Sequence, residues 1–184
     1  MAIEFIGAFV AAIGMVGVML FVNRVLLRGF FGRWIYPAAA GAGLLAFTLW
    51  AEYSWPARAL AVQPGLRLAT ANEVSLVYRP WTLIWPQSTR IVAISSVTTL
   101  THPEQPDLVL TQVVLLSRWE ALRAFPMVFD CARNAGAELA PGVSLNADGT
   151  LEGAGWSMLE ADDAVLRTAC AVREEVTHER GGGA

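Results

Sequence analysis

The sequence predicts an integral membrane protein in which an N-terminal hairpin of two transmembrane helices is followed by one small α+β domain outside the membrane. Two uncharged apolar stretches lead to this prediction, one between Glu4 and Arg24 and the other between Arg33 and Glu52. Each is about as long as the roughly 20 helical residues that cross a bilayer. Composition agrees, because 55% of the residues are hydrophobic and only 16% are charged, against about 25% in a typical soluble domain.

The positions of the charges set the boundaries of these parts, and Pro56 is expected to end the second helix. We predict transmembrane helices at about residues 5–23 and 34–53 within a hairpin of residues 1–55. The next segment, residues 56–178, is long enough for one small domain with its own core. Residues 179–184 are rich in glycine, which is typical of a flexible tail.

The charges around the first apolar stretch indicate a retained helix and a direction of insertion. A cleaved signal peptide begins with basic residues, whereas here the acidic Glu4 precedes the apolar stretch. The short loop between the helices carries Arg24, Arg28 and Arg33, and short arginine-bearing loops tend to stay in the cytoplasm. We therefore predict a multi-pass protein of the bacterial inner membrane with both termini and the C-terminal domain in the periplasm. Two arginines shortly after the second helix favour the opposite orientation.

The two cysteines, Cys131 and Cys170, both lie in the predicted C-terminal domain. An even number of cysteines in an oxidising compartment indicates a disulfide. This bond would join two predicted helices and close a loop of about 40 residues, which stabilises the folded state by roughly 3–4 kcal/mol on chain-entropy grounds. The alternative is a pair of ordinary buried thiols in a cytoplasmic domain.

Small side chains within the apolar stretches predict close contacts between helices. Neither stretch contains an Asp, Glu, Lys, Arg or His, which argues against a self-contained transporter or pump. One small-residue face on each helix suffices for packing within the hairpin, and further ones leave room for another membrane subunit. The candidate helix-packing residues are Gly7, Ala11, Gly14, Gly17 and Gly41.

Aromatic residues gather at the ends of the second apolar stretch and in a segment beyond it. The first group suits the headgroup zone of a bilayer. These candidate anchors are Trp34, Tyr36, Trp50, Tyr53 and Trp55. In the second group, residues 78–86, Trp81 and Trp85 would lie on one face of a strand that follows Arg79. This face is either part of the core or an exposed interface for a partner or for lipid, since Trp and Arg are common at binding hot spots.

The C-terminal domain combines short strands with helices, which predicts an α+β fold. Residues 108–116 are apolar on both alternating faces, as in a central strand. Leu122, Phe125 and Phe129 recur at spacings of three and four, which predicts a helix that is kinked or split at Pro126. The predicted strands are 74–78, 81–85, 90–94 and 108–116, and the predicted helices are 118–135 and 162–177.

The sequence offers no constellation of residues for catalysis. There are only two histidines, His102 and His178, and no metal-ligand spacing, phosphate-binding loop or nucleophile motif. The acidic residues Glu160, Asp162 and Asp163 stand where they would cap the last helix and complement its dipole. We therefore predict no enzyme activity, no cofactor and no metal, and the net charge of -3 argues against nucleic-acid binding.

These observations favour a non-catalytic accessory or structural subunit of a larger bacterial membrane protein complex, for which an energy-transducing complex is one host. The hairpin would dock against other integral membrane subunits in the lipid bilayer, and the C-terminal domain would cover the periplasmic face. Two alternatives remain open. One is a free-standing, membrane-anchored factor for envelope assembly or sensing, and the other is a thiol-dependent enzyme built on Cys131 and Cys170.

Overall fold

The structure, a computed structural model, divides into two compact units, and the boundary between them falls within the sequence of one helix. It describes residues 2–140, 142–146, 151–153 and 155–181. The N-terminal unit is Met1–Trp55 and the C-terminal unit is Pro56–Ala184. Each unit has its own architecture, and each is described by itself.

The N-terminal unit begins with α1, Ala2–Phe21, which continues into one π-helical turn, Val22–Leu26. Together they provide an apolar segment of 23 residues, Glu4–Leu26. At 1.5 Å per residue this segment is about 35 Å long, whereas the hydrocarbon core of a bilayer is about 30 Å thick. One N-terminal helix is therefore long and apolar enough to span a membrane.

The second helix, α2, is Ile35–Val62, and it departs from the prediction in two respects. Within the described part of the chain, Glu4–Leu26 is the one segment that combines the length and the apolar composition of a membrane span. The predicted two-helix hairpin is thus supported for its first helix alone, because α2 mixes its apolar residues with glycines, aromatic residues and Glu52. The prediction that Pro56 ends this helix was wrong. A proline removes one interior hydrogen bond, and α2 continues past it to Val62.

The C-terminal unit is an α+β domain in which a curled antiparallel sheet precedes the helix α3, Ala164–Gly181. The strands are β1 (Leu66–Val74), β2 (Gln87–Ser95), β3 (Leu100–His102), β4 (Gln105–Ser117), β5 (Arg123–Asp130), β6 (Ala135–Glu138), β7 (Ser144–Leu145), β8 (Leu151–Glu152) and β9 (Ser157–Met158). The sheet has the order β1-β2-β4-β5-β6-β9, with β3 paired to β4, while β7 and β8 form a separate hairpin. Because β4 pairs with β2, β3 and β5, the predicted central strand is confirmed.

The core of the C-terminal unit lies between the sheet and α3. Ile94 on β2, Val113 on β4 and Phe129 on β5 are buried against one face of the helix. The buried residues of that face are Leu166, Ala169, Val172 and Val176. At the start of α3, the Asp163 carboxylate accepts hydrogen bonds of 2.9 Å from two backbone N–H groups of the first turn. The predicted last helix and its acidic cap are confirmed.

The predicted helix at residues 118–135 was wrong, because this segment forms β5 and the start of β6. Phe125, Met127 and Phe129 pack towards the core at a spacing of two, which is the period of a strand. The two phenylalanines are four residues apart, so they fit a helical period as well. Pro126 does not distinguish the two periods, because proline is unfavourable inside a helix and inside an interior strand alike; the pairing of β5 with β4 does.

Two further predicted strands fall in the connection between β1 and β2. The predicted strand at residues 90–94 is confirmed as part of β2. Residues 74–78 and 81–85 instead belong mainly to the connection, which contains a short 3-10 helix, Pro80–Leu83. Pro80 begins this 3-10 helix, and Pro86 stands directly before β2.

The segments near the C-terminus agree with the prediction in part. β7 and β8 pair as an antiparallel hairpin, and residues 147–150 between them lie outside the described residues. The helix α3 continues to Gly181, into the segment predicted to be a flexible tail. Residues 182–184 of that tail also lie outside the described residues.

Candidate functional site

The contact between α1 and α2 depends on two glycines. A Cβ atom placed on Gly43 would lie 2.8 Å from the carbonyl oxygen of Ala11 and 2.9 Å from the Cβ of Met15. A Cβ atom on Gly7 would lie 2.6 Å from the ring of Phe47. Since real Cβ atoms keep a larger separation, a bulkier residue at Gly43 would push the two helices apart, whereas one at Gly7 would first displace the Phe47 ring.

The predicted helix-packing residues thus divide into two groups. Gly7 and Ala11 take part in the contact between the helices. Around Gly14, Gly17 and Gly41, no neighbouring group lies within 4 Å of the position that a Cβ atom would take. Gly43 was missing from the predicted set, although it is one of several small residues in the first half of α2. Gly14 and Gly17, here called the open glycine face, are exposed and lie three residues apart on α1, with no group of the described residues within 4 Å of either Cβ position.

The loop between α1 and α2 is held by one buried polar side chain, that of Asn23. Its Nδ2 donates to the carbonyl oxygen of Phe31 at 3.0 Å, and its Oδ1 accepts from the N–H of the same residue at 3.1 Å. Its Nδ2 also donates to the Tyr36 hydroxyl oxygen at 3.3 Å. Sequence reasoning missed Asn23, and the signal was an asparagine at the end of an otherwise apolar run.

Beside this loop lies a cavity of about 430 Å³, here called the arginine cavity. Its lining residues are Leu20, Asn23, Arg24, Arg28, Gly29 and Tyr36. No acidic side chain within the described residues forms an ion pair with Arg24 or Arg28. The cavity therefore presents two positive charges with no opposite charge to neutralise them.

The five candidate anchors differ in exposure. Trp34, Trp50 and Tyr53 are exposed, as a side chain in the headgroup zone would be. Tyr36 is half-buried beside Asn23. Trp55 is buried, with only 7% of its surface exposed, so the expectation that it faces the headgroups does not agree with its position.

Residues 75–86, here called the aromatic tip, connect β1 to β2 around the buried side chain of Thr82. The Thr82 hydroxyl accepts a hydrogen bond of 2.8 Å from the N–H of Leu76 and lies 2.8 Å from the carbonyl oxygen of Arg79. The Ser75 hydroxyl donates to the Thr82 carbonyl oxygen at 2.9 Å. These bonds give the tip a fixed conformation, which the predicted strand did not anticipate.

The aromatic tip presents its apolar side chains outward. Val77 and Trp85 are 85% and 64% exposed, and Trp81 is 40% exposed. Of the two interpretations of this segment, core or interface, the exposure favours the interface. The Arg79 guanidinium donates to Gln87 at 3.1 Å and lies 5.8 Å from the centre of the Tyr78 ring.

Cys131 and Cys170 lie at disulfide distance, with their Cα atoms 6.0 Å apart. The prediction that they join two helices was wrong in one detail. Cys131 occupies the turn after β5, and Cys170 lies on α3. The pair ties the helix to the sheet next to a turn in which Asp130 accepts two backbone hydrogen bonds of 3.0 Å.

An open groove of about 560 Å³ lies between β1 and α3. Along it, Arg67 forms a two-pronged ion pair with the carboxylate of Glu175, and Arg67 Nε lies 3.2 Å from one carboxylate oxygen. The hydrogen bond from Arg67 lowers the pKa of Glu175, and partial desolvation opposes this effect. The two charges neutralise each other, so the groove lacks the net charge of the arginine cavity.

The described residues offer no arrangement for metal binding, since no three His, Cys, Asp or Glu side chains among them lie close enough to share an ion. Comparisons with protein-family models, with curated proteins and with solved structures found no match. The candidate sites of this protein are therefore the open glycine face, the arginine cavity and the aromatic tip.

Proposed function

We propose that this protein is a non-catalytic accessory subunit of a larger bacterial membrane protein complex, for example an energy-transducing one. In this proposal α2 crosses the inner membrane beside α1, since the stretch between Arg33 and Glu52 is uncharged. The arginine-bearing loop faces the cytoplasm and the C-terminal unit faces the periplasm. An oxidising periplasm also suits the pairing of Cys131 with Cys170.

The observation that carries the proposal is the open glycine face. Glycine is unfavourable in a helix interior by about 1 kcal/mol relative to alanine, so a glycine without a contact needs a reason. In membranes, small residues allow a second helix to approach closely. The pair α1 and α2 uses Gly7 and Gly43 for its own contact, which leaves Gly14 and Gly17 available to a helix of another subunit.

The aromatic tip supports the same proposal from outside the membrane. Its exposed Trp and Tyr side chains and Arg79 are residue types common in protein interfaces. A tip fixed by the bonds of Thr82 loses little conformational entropy on binding. The tip would contact the periplasmic part of the host complex.

Purification of the tagged protein from its native membrane in a mild detergent, with mass spectrometry of the associated proteins, tests this proposal. We expect a set of integral membrane partners in fixed ratio. Replacement of the glycines, in Gly14→Leu and Gly17→Leu variants, should remove those partners while the protein still inserts. The matched control is Phe9→Trp, because Phe9 is exposed on the same helix and already bulky.

Two results would overturn the proposal. One is a lone monomer or homo-oligomer in several detergents, which would favour the free-standing envelope factor. The other is retention of the same partners by the glycine variants and by the Phe9→Trp control alike, which would show that docking does not use the open glycine face.

A further inference from the structure

The donors of the arginine cavity point to a ligand of negative charge. Its side-chain groups include the guanidinium groups of Arg24 and Arg28, which are donors only. The Tyr36 hydroxyl oxygen accepts a hydrogen bond from Asn23, and within the described residues it makes no other hydrogen bond. Its own proton therefore remains available for donation to a bound ligand or to water.

We infer that the arginine cavity binds the headgroup phosphate of an anionic phospholipid from the membrane that α1 can span. The inference needs the membrane anchor but not the partner complex of the proposed function. The two arginines would hold the phosphate oxygens, and Tyr36 would donate one further hydrogen bond.

The charge balance at this end of α1 favours an anion. The carboxyl end of a helix carries about half a negative charge, which on its own would repel a phosphate. Two guanidinium groups outweigh this partial charge, and several terminal carbonyl groups are already occupied. The N–H groups of Leu27 and Gly29 donate to the carbonyl oxygens of Val22 and Asn23 at 3.0 and 2.7 Å.

The position of the cavity favours a lipid over a free phosphate ion. The apolar segment of α1 ends at Leu26, so the cavity lies where that segment would meet the headgroups. Leu20 lines the cavity, and Phe21 and Val25 beside it are exposed. A phospholipid can place its phosphate on the arginines and its acyl chains along this apolar surface, whereas a phosphate ion can use the arginines alone.

The cavity is preformed by the loop that Asn23 holds. Arg28 has a φ of 50° and Gly29 a φ of 84°, so two successive residues adopt the left-handed conformation. This conformation is unfavourable for arginine, whereas glycine adopts it readily. Unfavourable conformations of this kind persist where the surrounding structure imposes them, and they concentrate at binding sites.

Native mass spectrometry of the full chain in a neutral detergent, titrated with phosphatidylglycerol or phosphatidylcholine of the same acyl chains, tests the inference. The decisive variants are Arg24→Gln, Arg28→Gln and Arg33→Gln, since each removes one charge from the same loop but Arg33 does not line the cavity. We expect Arg24→Gln and Arg28→Gln each to weaken phosphatidylglycerol binding by about tenfold. We expect Arg33→Gln to change it by no more than about twofold, because Arg33 lies outside the cavity and would attract the phosphate only through screening solvent.

Three further arms keep the test decisive. Phosphatidylcholine should bind more weakly than phosphatidylglycerol, and a large excess of inorganic phosphate should not displace the lipid. If either glutamine variant fails to insert, Arg24→Lys and Arg28→Lys take its place and should keep the preference for phosphatidylglycerol. Equal losses in all three glutamine variants would show that the net charge of the loop attracts the lipid without a defined site. That result would overturn the inference. Displacement by inorganic phosphate, or equal binding of both lipids, would overturn it as well.

Discussion

The N-terminal and C-terminal units arrange their apolar side chains in opposite ways. In the C-terminal unit the largest apolar side chains, among them Phe129 and Ile94, are fully buried between the sheet and α3. In the N-terminal unit Phe5, Phe9 and Ile13 are all largely exposed along α1. The hydrophobic effect drives burial in the C-terminal unit, whereas the exposed apolar side chains of α1 form a surface that suits a bilayer or other apolar helices.

The two units nevertheless fix their loops by the same means. Asn23 holds the loop between the helices, and Thr82 holds the aromatic tip, each through a buried polar group bonded to the backbone. In both places the fixed loop carries an arginine and exposed apolar side chains. The comparison teaches that two of the three candidate sites, the arginine cavity and the aromatic tip, lie on loops whose conformation is set by a buried polar side chain.

The largest difference between the two units is expected when the bond between Cys131 and Cys170 is reduced. Reduction should lower the free energy of unfolding of the C-terminal unit by roughly 3–4 kcal/mol, since the residues are 39 apart in sequence. The helices of the N-terminal unit should not respond. Urea unfolding of the full chain in detergent, followed by circular dichroism with and without reductant, measures this.

The control for that experiment is the double variant Cys131→Ala, Cys170→Ala, whose unfolding curve should not respond to reductant. Identical curves for the reduced and the untreated wild-type protein would contradict the prediction. They would mean that the two cysteines are thiols in the protein as isolated.

The next largest effect concerns the aromatic tip. Thr82→Val keeps the shape of the side chain but removes the acceptor of the Leu76 N–H in a buried position. An unsatisfied buried group of this kind costs about 1–3 kcal/mol. Urea unfolding measures this loss, and limited proteolysis should show faster cleavage within residues 75–86. Thr98→Val is the control, because Thr98 is exposed, and equal effects of the two variants would refute the role of Thr82.

The sequence predicts the parts of this fold whose signals are local. The uncharged run of α1, the apolar faces of β4 and the acidic start of α3 each specify their element without reference to distant residues. Residues 123–130 were misassigned because phenylalanines four apart fit two periods, and the pairing of β5 with β4 decides between them. Local sequence patterns are likewise insufficient to place the candidate sites, because those sites depend on contacts within the folded chain.

The arginines of the arginine cavity were visible in the sequence as a topology signal. Their placement around a cavity depends on Asn23 and on the left-handed conformation at Arg28, neither of which a composition pattern reveals. The aromatic tip was visible as a cluster of aromatic residues. Its fixed conformation depends on the bonds of Thr82, which is one of only a few polar residues in the segment.

A smaller effect is expected from the corresponding change in the N-terminal unit. Asn23→Ala removes both bonds to Phe31, whose backbone groups lie in a half-buried position and can take water in their place. We therefore expect a loss of about 0.5–1.5 kcal/mol. Hydrogen exchange of the full chain should show faster exchange in the loop between α1 and α2 and no change in β4.

Thr48→Ala is the matched control for that variant, because the exposed Thr48 hydroxyl bonds only to the carbonyl oxygen of Leu44 one turn earlier. If both variants leave the loop equally protected, Asn23 does not hold it. The comparison between the two units would then fail at its central point.

The smallest effect is a pH dependence of the C-terminal unit through Glu175. Because the hydrogen bond from Arg67 lowers the pKa of this carboxyl below its ordinary value of 4.5, the folded state holds the ionised form more firmly than the unfolded state does. The stabilisation is thus fully present above the ordinary pKa and is lost as the pH falls through the lower pKa of the folded protein. Since the pair is exposed, water and salt screen it and the change is small.

Urea midpoints of the wild-type protein and of Glu175→Gln, compared at neutral pH and at about pH 3, measure this dependence against the ordinary carboxyl pKa range. The wild-type protein should lose more stability on acidification than Glu175→Gln, because the amide cannot be protonated in that range. Glu174→Gln removes the same charge from the next residue, whose carboxylate lies 3.6 Å from Arg173. A loss of acid sensitivity in Glu174→Gln equal to that in Glu175→Gln would assign the effect to net charge. A loss confined to Glu175→Gln would locate it in the ion pair that joins α3 to the edge strand β1.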